Sequence, residues 1–166
     1  MSKISTNAIT KMNNLLSFAC FGVIQWFIII FIAMRFYPGG TVVDPSTNGY
    51  SFWENYVSDL GCVNGWNGEP NTVSQILFIL FNFIFAFSQM ALYSAFGNIF
   101  QSAKKSRQLR AGVVNGYISM VFIALDSLFP LDTQPTLHGL CIILGFSLLV
   151  PTCILLGLVI LEFKEF

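Results

Sequence analysis

A chain of 166 residues that is 55% hydrophobic, only 10% charged and of zero net charge lies outside the range of soluble domains, which carry about 25% charged residues. The length corresponds to a single domain, residues 1–166, and no soluble fold of that size hides so much apolar surface, so lipid is its solvent. The eight basic residues are few and not interleaved with aromatic ones, so nothing in the sequence points to nucleic acid and none is expected as a partner.

A helix needs about 20 apolar residues to cross the hydrocarbon core of a bilayer. The first such segment covers 15–36. It is too long for the apolar region of a signal peptide and lacks a small-residue cleavage site, so it reads as a retained span. Residues 37–71 follow as a long connection rich in Gly, Asn, Pro and aromatic residues, with Asp44, Glu54, Asp59 and Glu69 along it. Structureless loops of that length are uncommon and usually functional or disordered. Trp53, Tyr56 and Trp66 suit the bilayer interface. Ser51 followed by Glu54 predicts a capping box opening a short amphipathic helix near 51–60.

The second span, 72–96, carries Gln75, Asn82 and Gln89 at intervals of seven. That is close to two helical turns, so the amides form one stripe. The third span, 113–129, stops at Pro130 and places Asn115, Ser119 and Asp126 on one face. The two stripes are expected to face each other, either as interhelical hydrogen bonds, worth about 0.6 kcal/mol apiece, or as a hydrophilic path for a substrate. The fourth span, 137–161, has Pro151 near its middle, predicting a kink that neighbouring helices can absorb. His138, Gly145 and Thr152 form a small-residue packing seam along it.

With four spans, Lys3, Lys11, Lys104, Lys105, Arg107, Arg110 and Lys164 share one side, and Arg35 alone is opposite. The positive-inside rule then makes both termini cytoplasmic and the 37–71 loop exoplasmic. The fold class is thus an all-α, polytopic four-span bundle, in the cell membrane by the same reasoning. The acids sort the other way. Asp44, Glu54, Asp59, Glu69, Asp126 and Asp132 lie at or near the exoplasmic side, with only Glu162 and Glu165 inside.

Asp59, Asp126, Asp132 and His138 could therefore converge at the exoplasmic face, where carboxylates and an imidazole can bind a cation or run acid–base chemistry. An acid within a span is a functional-site hypothesis by default. Asp126 also lies one turn before Pro130, close enough to the surface for a structural capping role. A catalytic zinc site usually takes three protein ligands, often histidines, and this chain has one histidine. No GxSxG, HExxH or phosphate-binding glycine loop is present. No metal or cofactor is expected, and an enzyme is the weaker reading. Cys20, Cys62, Cys141 and Cys153 show no paired spacing, and Cys62 and Cys141 would lie near the same face, where a disulfide between them is an open alternative.

The stretch Tyr56-Val57-Ser58-Asp59-Leu60-Gly61, then Asn71, and later Phe129-Pro130-Leu131-Asp132 with His138-Gly139, resembles an uncharacterised family of prokaryotic multi-pass proteins, domain of unknown function 998. It is more distantly similar to the DRAM/Frag/Sfk group, which has a Ser-Asp-x-Gly element after its first span. The likeness covers about 52–140. It implies a helical bundle whose exoplasmic ends are tied together by Ser58, Asp59, Asp132 and His138, and it implies no established reaction. The DRAM-like relatives are associated with lipid handling, which implies membrane lipid as a ligand. Such families usually have more spans, so the chain reads as a short form, a fragment or half of an assembly.

The expected function is a non-catalytic bundle that binds or organises lipid. The competing readings are a transporter or channel subunit using the Gln75–Asn82–Gln89 stripe and an exoplasmic membrane hydrolase. Expected partners are membrane lipid and either further copies of the chain or a larger membrane complex.

Overall fold

The computed structural model describes residues 6–100 and 106–162. Lys3, Lys104, Lys105, Lys164 and Glu165 lie outside the described residues. Four helices follow one another: α1 (Thr6–Phe36), α2 (Thr72–Ile99), α3 (Ser106–Asp126) and α4 (Pro135–Glu162). A 3-10 helix, Val57–Gly61, sits in the long connection. Each of the four long helices is apolar and long enough to cross a membrane. Among the described residues there is no strand, only isolated bridges pairing Gly39 with Asn48 and Asn64 with Pro70.

α3 departs from expectation at both ends. It begins earlier than 113 and ends at Asp126 instead of running on to Pro130. The Ser127 hydroxyl donates to the Ala124 carbonyl at 2.7 Å, and the Leu128 and Phe129 amides fold back on the carbonyls of Leu125 and Asp126. Local hydroxyl-to-backbone bonds of this kind compete with helix continuation, so the chain turns before the proline. α4 continues through Pro151, and Thr152 one residue later donates to the Leu148 carbonyl at 2.8 Å.

The helices pair as two hairpins, α1 with α2 and α3 with α4, and meet along a sparser α2–α3 seam. The α1–α2 hairpin is close because of one glycine. A Cβ built on Gly22 would stand 1.6 Å from the Ser88 hydroxyl oxygen, so only a residue without a side chain allows this approach. At that separation amides reach across to backbone. Gln89 donates to the Ala19 carbonyl at 3.3 Å and Gln25 to the Phe81 carbonyl at 3.1 Å, while the Trp26 indole donates to Asn82 at 3.4 Å. In the other hairpin, Ser119 donates to the Gly145 carbonyl at 2.7 Å, and Gly145 lies against Ile123. The expected seam of His138, Gly145 and Thr152 is buried, and at Gly145 it faces α3.

Among the described residues the two polar stripes therefore make no hydrogen bonds to each other. The α2 stripe turns toward α1 and the loop, with Gln75 donating to the Gly61 carbonyl at 3.4 Å. Ser119 of the α3 stripe turns to α4, and Asn115 is half-buried. The reason is that close packing within each hairpin brings backbone carbonyls nearer than the opposite hairpin's side chains. Two apolar clusters fill the interior. One, around Phe78, Phe81, Leu60 and Tyr37, lies under the long loop; the other joins Tyr93, Met120, Leu156 and Val159 toward the opposite end. Hydroxyls of Ser94 and Tyr117 bridge α2 and α3 within the second.

Candidate functional site

The long loop is folded and held by polar groups. Asp59, fully buried, sits on the 3-10 helix and accepts hydrogen bonds from the Asn55 amide and the Tyr56 backbone N–H, both at 2.9 Å. Asn55 also donates to the Gly40 carbonyl at 2.9 Å. Gly40 adopts φ +83°, and a Cβ there would lie 2.3 Å from the Asn67 nitrogen, so glycine is required on both counts. The expected helix over 51–60 is replaced by a turn and the shorter 3-10 helix. Its Ser51 hydroxyl does meet Glu54, at 3.1 Å, but the Ser51 amide is taken by the Asn55 side chain at 2.9 Å, which diverts the backbone from a helical start.

Asn71, at the start of α2, shares its side-chain N–H groups among the carbonyls of Asp59, Leu60 and Cys62. Ser74 adds a bond to Leu60. These satisfy the carbonyls that end the 3-10 helix, which burial would otherwise leave orphaned. Tyr37 receives the Trp66 amide at 3.2 Å. Burial, with Asp59 nearby, pushes the hydroxyls of Tyr37 and Tyr50 up to about 12. Burial, followed by the charge of Asp132, does the same to the Cys62 thiol, also to about 12.

The four expected polar groups occupy three separate arrangements. Asp132, in the α3–α4 connection, accepts from the backbone amides of Val63 and Asn64 at 3.1 Å, joining the two loops. His138 turns away from Asp132; its Nδ1 lies 3.1 Å from the Asp126 carbonyl and 2.9 Å from that of Phe129. Two acceptors require the proton on Nδ1. His138 Nε2, Asp59 Oδ1 and Asp126 Oδ1 are buried without partners. No three described His, Cys, Asp or Glu side chains could share a metal ion. All four cysteines are free, Cys62 and Cys141 buried and Cys20 and Cys153 exposed on helices.

The remaining feature is a crevice of about 670 Å³ between α1 and α4, with α2 and α3 as its back wall. Val23 and Phe27 line one side, Ile142, Phe146 and Leu149 the other, and Phe78 and Phe85 the back. Tyr56, Val57 and Ser58 close its loop end beside Asp126. Asn82 lies midway along, already engaged by Trp26. Sequence reasoning located Ser58, Asn82 and Asp126 but not the cavity they share, because nothing local in the sequence says that α1 and α4 stand apart. It also missed Gly22, Gln25, Asn55 and the capping role of Asn71. Gly22, three residues before the mid-span Gln25-Trp26 pair, was a weak signal for close packing.

Residues 22–164 match the model of a family described as a protein of unknown function, DUF998. The chain belongs to the DUF998 family. The match takes in the second half of α1, all of α2, α3 and α4, and Ser58, Asp59, Asp132 and His138. No curated protein and no solved structure matches the chain. In this DUF998 protein, then, Asp59 braces the long loop, Asp132 joins the two loops, His138 ties α4 to the end of α3, and Ser58 lines the crevice.

Proposed function

We propose that this DUF998 protein is an integral membrane protein of the cell membrane whose helical bundle binds lipid without catalysing a reaction, with both termini cytoplasmic and the 37–71 loop exoplasmic. The basic residues favour that orientation. Asp59, Asp132 and His138 hold the loops over the bundle mouth as structural latches. The observation that carries the reading is the α1–α4 crevice. Its walls are apolar, it opens sideways between helices that cross the membrane, and its volume is within the roughly 300–1,000 Å³ of ligand sites. Its length also fits. On α1 it reaches down to Val23, thirteen residues below Phe36, and on α4 to Leu149, fourteen beyond Pro135. At 1.5 Å per residue these depths are roughly 20 Å, more than half of a hydrocarbon core about 30 Å thick. One acyl chain fits such a slot lengthwise.

Trp26 lines the crevice, which supplies a direct test. With Trp53 and Trp66 replaced by phenylalanine, the remaining indole fluorescence reports on crevice occupancy. Lipids brominated along the acyl chain are expected to quench it well beyond their bulk dilution. The double substitution Val23→Phe and Ile142→Phe, which fills the slot, is expected to remove the excess. Quenching that tracks bulk dilution alone, with or without the filling substitutions, refutes lipid binding in the crevice.

The bonding of the α2 stripe to α1 counts against the transport reading. Asn82 and Gln89 are buried and bonded to α1, so the stripe offers no continuous polar path.

A further inference from the structure

Resting on the lipid-binding reading, the polar end of the crevice also selects the class of lipid. We infer that the site takes a lipid with an uncharged, hydroxyl-bearing head and no phosphate, its head against Asp126 and Ser58 and one chain along the α1–α4 slot.

The first argument is charge complementarity. The crevice lining contains one carboxyl, Asp126, and no lysine or arginine. A phosphate held there would face a carboxyl and no cation, whereas phosphate sites use arginine, lysine or several backbone amides. The basic residue nearest this end of the bundle in sequence order is Arg35, in the last turn of α1. It is exposed and does not line the crevice.

The second argument is hydrogen-bond supply. Asp126 Oδ1 is buried without a partner, while the residue is half-buried and lines the crevice, so its carboxyl brings acceptor capacity to the wall that the protein does not fully use. The Ser58 hydroxyl, beside it at the loop end, both donates and accepts. Asn82, midway along, already accepts from Trp26 and lies deeper than the Asp126 end. The unmet requirement at this end is therefore for a donor, and a head-group hydroxyl supplies one.

The third argument is position. Asp126 ends α3, and Ser58 lies on the 3-10 helix above the helix ends. Both thus lie at the depth of a lipid's head, while Phe85, Phe146 and Leu149 lie at the depth of its chain. A small polar solute would leave the deep apolar part unfilled, and a plain hydrocarbon would leave the carboxyl unpaired.

The test uses the single-tryptophan full-length protein in mixed micelles and compares acyl-brominated lipids of equal chain length: diacylglycerol, phosphatidylcholine and phosphatidic acid. Diacylglycerol is expected to half-quench Trp26 at about tenfold lower mole fraction than either phospholipid, the ratio that one or two net hydrogen bonds supply. Asp126→Leu is expected to abolish that ranking while leaving acyl-chain quenching in place. Asp126→Asn, which keeps an acceptor, retains part of it, and Arg35→Gln leaves it unchanged. Asp126→Leu also removes the carboxyl that accepts from the Ser127 backbone N–H, so melting is measured for both variants, and Asp126→Asn, which keeps an acceptor, separates selectivity from folding. Equal quenching by all three lipids, or a preference for phosphatidic acid, overturns the head-group assignment while lipid binding stands. A ranking that survives Asp126→Leu overturns the role of this residue. Absence of excess quenching by any lipid defeats the underlying reading instead.

Discussion

Replacing Asp59 by alanine tests whether the long loop is a latched structure. The carboxylate accepts two hydrogen bonds at 2.9 Å and is fully buried. Its removal leaves the Tyr56 N–H and one hydrogen of the Asn55 amide without acceptors; the other Asn55 hydrogen keeps Gly40. A buried polar group stripped of its partner costs about 1–3 kcal/mol. Tyr56 sits near the surface and belongs at the low end, and deleting the unpartnered Oδ1 offsets part of the loss. The net is a destabilisation of about 2–3 kcal/mol, which for a chain of this length lowers the melting temperature by roughly 5–10 °C. With the exposed Cys20 and Cys153 replaced by serine, detergent-solubilised protein followed by a thiol-reactive dye gives the readout, since loop opening also uncovers Cys62. Combining Asp59→Ala with Asn55→Ala closes a double-mutant cycle, where residues in direct contact show coupling of about 0.5–3 kcal/mol. Unchanged melting together with zero coupling in the cycle would refute the latch.

Other consequences follow from packing and titration. Gly22→Ala is expected to destabilise the α1–α2 hairpin by about 1–3 kcal/mol, as overpacking does, because the new methyl meets Ser88; Ser88→Gly in the same chain should recover most of the loss, and no recovery would show that the clash lies elsewhere. The Cys62 thiol, held protonated in the fold up to about 12 against an ordinary 9.0, should resist a soluble maleimide at pH 8 until the protein unfolds. Because the unfolded thiol ionises first, its stabilising contribution is complete below pH 9 and is lost as pH rises toward 12. Tyr37 and Tyr50 act in the same sense between 10 and 12. Melting temperature should therefore fall progressively above pH 9, and a flat profile to pH 11 would contradict the burial of all three.

The helices were legible because span length and composition are local properties: runs of Ile, Leu and Phe between charged or Pro-rich segments mark all four. Ser58, Asp59, Asp132 and His138 were legible as residues of interest through their motif context. Their partners were not, because those are mainly backbone groups. Asp132 meets the amides of Val63 and Asn64, and His138 meets two carbonyls. Every residue carries such groups, so no side-chain pattern announces which ones are used. The same holds for the α2 stripe. Its period predicted a polar face correctly, yet the carbonyls of α1 decided which neighbour it faced. The crevice depends on the distance between the first and last helices, a property of the whole assembly that no segment encodes.

The sparse α2–α3 seam gives the molecule the mechanics of a book. Each hairpin is a stiff cover, α1–α2 clamped at Gly22 and α3–α4 at Gly145, and the spine is the α2–α3 contact. That spine is bound at one end by the chain running from α2 into α3 and clasped at the other by Asp132 on the Val63 and Asn64 amides. A small change in the angle between covers alters the gap between α1 and α4 while leaving each hairpin intact. The crevice is thus the opening between the fore-edges, and its width is set at a hinge on the far side of the bundle. An occupant of the proposed lipid site would then need no helix to unfold, only the covers to part.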